Sequence, residues 1–126
     1  MRRNLAPDTV LVIDDDADFR GLVTAIGELY GIRVLEAADC HSGLKLLGRE
    51  HGRIKLVVLD YLMPGMDPST CAAAIITKAG PQVPVVLVTA AANPAARARQ
   101  LQLDQWIPKP IELSTLTDLL IQSRSS

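Results

Sequence analysis

Asp14-Asp15, Asp60, Thr89 and Lys109 are the residues of this chain whose types and spacing suit chemistry. Each stands at or just beyond the end of a short apolar run that reads as a β-strand. In a parallel α/β sheet such ends converge on one edge, where ligands bind. Clustered carboxylates repel, which raises at least one pKa. A divalent ion resolves that conflict. Mg²⁺ suits the role because it takes a few carboxylates, keeps waters and bridges phosphate oxygens. A lysine ammonium beside them supplies a flexible point charge for phosphoryl oxygens, and a threonine hydroxyl can donate to the same oxygens. The set therefore reads as a site for a divalent cation and a phosphoryl group.

The elements that must position these groups follow from the apolar pattern. Thr9 to Ile13, Ile54 to Leu59 and Val83 to Val88 are short continuous apolar runs, the pattern of strands buried on both faces. Ile32 to Ala37 and Gln105 to Ile107 read as two further strands. Phe19, Leu22, Val23, Ile26, Leu29 and Tyr30 form one helical stripe, opened by Asp16 as N-cap and closed by Gly31. Asp39 caps a second helix with Cys40, Leu44 and Leu47 on one face. Asp67-Pro68 opens a third, with Ala72, Ile75, Ile76 and Ala79 inward and Gly80-Pro81 at its end. Pro94 opens a short fourth helix to Leu101, whose stripe of Ala and Leu should pack lightly. Ile111 to Gln122 forms the last, with Leu113, Leu116, Leu119 and Leu120 inward. Strict alternation with short loops implies a parallel sheet with helices on both faces, joined by right-handed crossovers. Alternation alone leaves the strand order open.

Composition fits one globular domain over residues 1–126, with a core from about 9 to 122 and a polar tail over 123–126. Hydrophobic residues are 48% and aromatics only 3%, so the core must be aliphatic. The formal net charge is −1 with cations spread along the chain, which excludes the basic stripe of a nucleic-acid binder. No run approaches the ~18 apolar residues of a membrane span, and the start carries no secretory pattern. A reducing cytoplasm is the expected location. Cys40 and Cys71 lack metal-like spacing, fall in predicted helices and read as small core residues. His41 and His51 read as solvated, and so do Arg97 and Arg99.

Four segments, in order, resemble the receiver domain of two-component response regulators: V-I-D-D-D at 12–16, V-V-L-D-Y-L-M-P-G-M-D at 57–67, V-T-A at 88–90 and W-I-P-K-P-I at 106–111. Any one is weak. All four, each at the correct strand end, are specific, and the resemblance spans about Thr9 to Gln122. It implies a flavodoxin-like, three-layer α/β fold with strand order 2-1-3-4-5. It makes Asp60 the phosphoacceptor, with Lys109 and Thr89 serving the phosphoryl group. It assigns Mg²⁺, or another divalent cation such as Mn²⁺, to Asp15 directly, to Asp14 partly through water, to Asp60 and to the backbone carbonyl of Leu62. Asp16, the third acid of the run, stays a helix cap. A cis bond is expected between Lys109 and Pro110.

The resemblance also implies a switch in which Thr89 moves toward the phosphoryl group and an aromatic three residues before the lysine swings inward. Here that residue is Trp106, bulkier than the usual Tyr or Phe and with an N–H that wants a partner. The output surface would be the stretch from Ala90 to Asp104 with the fifth strand and last helix. Leu62 and Ala91, two residues after Asp60 and Thr89, cannot orient a water, so self-dephosphorylation should be slow. The implied partners are a histidine kinase or histidine phosphotransfer protein, a downstream target that the sequence does not identify, and a second copy of the chain on phosphorylation. Such a chain is no enzyme beyond catalysing its own phosphorylation and dephosphorylation. The alternative is a degenerate receiver that binds partners without phosphorylation. A flavodoxin-like cofactor binder would need a glycine-rich or hydroxyl-rich phosphate loop after the first strand, where this chain has acids. A phosphatase of similar topology would want its nucleophilic aspartate after the first strand and a second acid two residues on, whereas here the loop after the third strand carries the stronger match.

Overall fold

The computed structural model describes residues 8–124. Residues 1–7, on which the absence of a leader was read, and Ser125-Ser126 of the tail lie outside the described residues. The elements alternate as β1 (Thr9–Ile13), α1 (Ala17–Leu29), β2 (Arg33–Ala37), α2 (Cys40–Arg49), β3 (Ile54–Leu59), α3 (Pro68–Ala79), β4 (Val85–Thr89), α4 (Pro94–Gln100), β5 (Gln105–Pro108) and α5 (Leu113–Gln122). The five strands form one parallel sheet in the order β2-β1-β3-β4-β5. This is the order that the resemblance implied.

The sheet divides the core in two. Side chains alternate across a strand with period two. Leu11, Ile13, Val57, Leu59, Val85 and Leu87 therefore share one face with Cys40 and Leu47 of α2, Cys71, Ala72 and Ile75 of α3 and Ala98 of α4. Val10, Val12, Leu56, Val58, Val86 and Val88 share the other with Phe19, Val23 and Ile26 of α1 and Leu116, Leu119 and Leu120 of α5. Burying each such aliphatic side chain is worth about 1.5–3 kcal/mol, so the central strands anchor the fold.

Helix starts are fixed by short acceptor side chains. The Asp16 carboxylate accepts from the N–H groups of Asp18 and Phe19, Asp39 from Ser42 and Asp67 from Thr70, with Pro68 in the first turn of α3. Each satisfies an amide that the helix itself leaves unpaired. The stripe on α1 is narrower than expected: Phe19, Val23 and Ile26 are buried, but Leu22, Leu29 and Tyr30 are exposed. Leu113 is likewise exposed rather than inward. Both departures lie at a helix end or flank, where the sheet no longer covers the stripe.

Cys40 and Cys71 correct the reading of two separate core residues. They are buried, but they pair as a disulfide with a Cα–Cα distance of 6.0 Å, joining α2 to α3. Their separation of 31 residues gave no hint of this, because only packing of the two helices on one sheet face brings them together.

Candidate functional site

Asp14 follows β1, Asp60 follows β3, Thr89 ends β4 and Lys109 follows β5. The parallel ladder continues past the strands and holds their backbones in place. Asp14 N–H donates to the Ala37 carbonyl at 3.0 Å, Asp60 N–H to Ile13 at 3.0 Å, and Lys109 N–H to Thr89 at 2.9 Å. The acids thus stand on two adjacent central strands, with the hydroxyl and the ammonium on the two strands beyond.

One carboxylate oxygen from each of Asp14, Asp15 and Asp60 lies within 4.8 Å of the others. Asp14 and Asp60 are buried, at 1% and 6% exposure, while Asp15 is exposed. Lys109 Nζ donates to Asp14 Oδ2 at 2.7 Å and stands 3.8 Å from Asp60 Oδ2. Asp14 Oδ1 accepts from the Asp16 N–H at 2.9 Å, and Asp60 Oδ1 accepts from the Tyr61 N–H at 2.8 Å. Burial pushes the Asp14 carboxyl above its ordinary range. The hydrogen bonds from Lys109 and the Asp16 amide pull it down, the Asp60 charge pushes it up, and the net shift is upward.

A set made only of hard oxygen donors, crowded and partly desolvated, fits a small divalent ion such as Mg²⁺ or Mn²⁺. The upward shift of Asp14 has the same origin: burial and a neighbouring acid leave negative charge short of compensation despite Lys109. Leu62 lies in the loop after Asp60 with its side chain half-exposed, so its backbone sits beside the cluster in sequence.

Thr89 is fully buried, and its Oγ accepts from the Ala91 N–H at 3.1 Å. A hydroxyl keeps its own proton to donate when its oxygen accepts. The Lys109-Pro110 bond is cis, as expected. Trp106 pairs in register with Leu87 and is 42% exposed, so it is not sealed into the core. His41 and His51 are exposed and take no part in the acid cluster.

Several contributors were not apparent from residue type. The Phe19 ring lies under the Lys109 ammonium, 4.5 Å from its centroid, and so lends a π face to a cation already held by carboxylates. Arg20 Nη1 donates to the Asp14 carbonyl at 2.8 Å, and its Nε donates to Glu36 Oε1 at 3.1 Å, which pins the loop after β1. The helical stripe marked Phe19 as core, and nothing marked Arg20. Arg97 also corrects the reading of a solvated charge. Its guanidinium lies 5.1 Å from the Tyr61 ring centroid, and its Nε is buried without a hydrogen-bond partner. Tyr61 Oη donates to Gln100 Oε1 at 3.3 Å, so the residue next to Asp60 touches α4 twice. Arg99 is exposed, as read.

Comparison with known proteins agrees with this geometry. The family profile described as the response regulator receiver domain matches residues 10–121. A probable transcriptional regulator ycf27 of Porphyridium aerugineum is 33% identical over 105 residues, 82% of this chain and 42% of that protein. Protein PetR of Rhodobacter capsulatus is 33% identical over 110 residues, 85% of this chain and 44% of that protein. The chain thus spans less than half the length of these curated relatives. Among solved structures, the receiver domain of the hybrid histidine kinase CckA superposes with a TM-score of 0.73 at 25% identity, covering 93% of this chain and 99% of that one. The Vibrio cholerae chemotaxis protein CheY4 superposes with a TM-score of 0.78 at 23% identity, covering 94% and 99%, and shows the fold. With the profile covering nearly the whole sheet and its acid-bearing edge, the chain belongs to the receiver domains of response regulators.

Proposed function

We propose that this receiver is a phosphorylation-dependent switch of a two-component system or phosphorelay, accepting a phosphoryl group on Asp60 with Mg²⁺. The observation that carries the reading is the Lys109 ammonium between Asp14 and Asp60 at the edge of a three-acid cluster. An Asp60 oxygen attacks phosphorus and forms a P–O bond. The bond from phosphorus to the donor breaks, and the donor leaves with its electron pair. Phosphoryl transfer needs mostly positioning and charge neutralisation. Lys109 and the Thr89 hydroxyl provide these for the transferred oxygens. Asp14, Asp15, Asp60 and the Leu62 carbonyl would hold the cation, which when bound adds charge neutralisation at the phosphoryl oxygens.

The donor is a histidine kinase or histidine phosphotransfer protein, and the setting is the cytoplasm. The chain catalyses nothing beyond its own phosphorylation and dephosphorylation. Its output surface comprises α4, β5 and α5, where only Ala98 of α4 is buried and Trp106 lies open. A light contact of this kind is where a modest energy change shifts populations. A second copy of the chain is a further partner on phosphorylation. The complete acid, hydroxyl and lysine set disfavours a phosphorylation-independent binding module.

Acetyl phosphate with Mg²⁺ tests the reading by intact mass. One phosphoryl adduct is expected, absent without divalent cation and absent in Asp60→Asn. Asp15→Ala should label far more slowly. Labelling that survives Asp60→Asn, or that ignores Mg²⁺, would overturn the assignment.

A further inference from the structure

We propose that Cys40 and Cys71 form a reversible thiol–disulfide site that braces α2 against α3 beside the acid crevice. The proposal is independent of phosphorylation. Cys40 is the first residue of α2, and Cys71 is the fourth residue of α3. Both helices start from the sheet edge that carries Asp14 and Asp60. The sulfurs are bonded, the Cα atoms stand 6.0 Å apart, and both residues are buried in the core of one sheet face. A Cα separation in this range allows a disulfide without backbone movement.

Two features favour a reversible link over a permanent staple. First, a full aliphatic core surrounds it. Cys40 and Cys71 are only two of the many buried residues on that face, and the aliphatic side chains of both sheet faces supply a full core. Small domains that require disulfides are those that lack such a core. Second, Cys40 is the first residue of a helix of ten, so its sulfur lies at the end of an element rather than in a helix interior. Access comes by fraying of that first turn.

The partner is a disulfide of low molecular weight or of a dithiol protein. The Cys40 thiolate attacks one sulfur of that disulfide, the external S–S bond breaks, and one thiol leaves. The Cys71 thiolate then attacks the Cys40 sulfur, forms the internal bond and expels the second thiol. Two protein thiols are oxidised and one external disulfide is reduced to two thiols. The internal bond closes the segment that contains β3, Asp60 and the loop into α3.

The test equilibrates the full chain in buffers of reduced and oxidised glutathione, quenches with an alkylating agent and reads intact mass. The expected result is full interconversion between a doubly alkylated form and an unalkylated form two hydrogens lighter than the free dithiol, reversed by dithiothreitol with the circular dichroism of the fold retained. Cys40→Ser and Cys71→Ser should each lose the internal bond and take up glutathione on the remaining thiol. If either serine variant misfolds, Cys40→Ala and Cys71→Ala replace them. Thiols that stay free in excess oxidised glutathione overturn the proposal, and so does a bond that dithiothreitol cannot open in the folded chain. Amide exchange in the first turns of α2 and α3 should be about tenfold faster in the reduced form. Equal exchange in the two forms would overturn the bracing role.

Discussion

Lys109 donates a 2.7 Å hydrogen bond to Asp14 across a separation of 95 residues, and both side chains are largely shielded from water. The bond couples the end of β5 to the end of β1 and holds the ammonium within 3.8 Å of Asp60. Removing one partner of a shielded ion pair leaves its charge uncompensated. Lys109→Ala should therefore lower stability at neutral pH without divalent cation by about 3 kcal/mol. Saturating Mg²⁺ should recover part of that loss. Urea melts with and without Mg²⁺ would measure it, and an unchanged midpoint would show that the ammonium does not compensate the acids.

Asp14 sets a pH dependence. Its carboxyl is raised chiefly by burial, so the folded state holds that proton more tightly than the unfolded chain. Through the window from 3.8 up to the raised value the native state binds more protons. Stability from this group is thus present at lower pH and is lost as pH rises through the window. Asp14→Asn should flatten the stability profile there. Mg²⁺ favours the ionised carboxylates, so its stabilisation should grow across the same window, reaching about 2.7 kcal/mol at a hundredfold excess over its Kd near neutrality. Thermal melts from acid to neutral pH would detect an opposite slope.

Two glycines of α1 should respond oppositely to one substitution. A Cβ on Gly27 would lie 2.7 Å from the Ile32 carbonyl oxygen and 2.6 Å from Val34 Cγ2, and the backbone oxygen cannot move aside. Gly27→Ala should cost about 1–3 kcal/mol. A Cβ on Gly21 meets nothing within 4 Å, so Gly21→Ala should stabilise by about 0.5–1 kcal/mol through helix propensity. Chemical denaturation of both variants checks the pair.

Phosphoryl lifetime should be long because Leu62 is apolar and half-exposed and Ala91 offers only its backbone N–H, already given to Thr89. Neither side chain can position a water for attack on the acyl phosphate. Leu62→Asn should shorten the lifetime by about tenfold, equivalent to about 1.4 kcal/mol of barrier. Decay of the phosphorylated mass after removal of donor would show it, and a wild-type half-life of seconds would refute the argument.

Trp106, the only tryptophan, lies 42% exposed on β5. If phosphorylation draws it inward, beryllofluoride with Mg²⁺ should shift its emission to the blue as the indole loses water. Unchanged emission despite confirmed binding would place the output elsewhere, for which the Tyr61 contacts to Arg97 and Gln100 are the obvious route.

The strands and helix starts were readable because their causes are local. Short, β-branched apolar runs such as Ile54 to Leu59 suit a strand in a covered sheet, and Asp16, Asp39 and Asp67 cap the next turn within three residues. The acid cluster was readable because its members all stand at strand ends. What escaped depends on tertiary approach. Cys40 and Cys71 meet only because α2 and α3 lie side by side, and Arg97 finds Tyr61 only because α4 folds over the loop after β3. Arg20 looked like any helix cation until the loop after β1 brought a carbonyl to it.

The backbone ladder that runs past β1, β3 and β5 has one more implication. The gap between reactive groups is set by strand pitch, about 4.8 Å between neighbours, rather than by whichever side chains fill the space beneath. Mutation can therefore rewrite most of the interior without respacing the chemistry, and a fold shared at 23% identity is what such insulation permits.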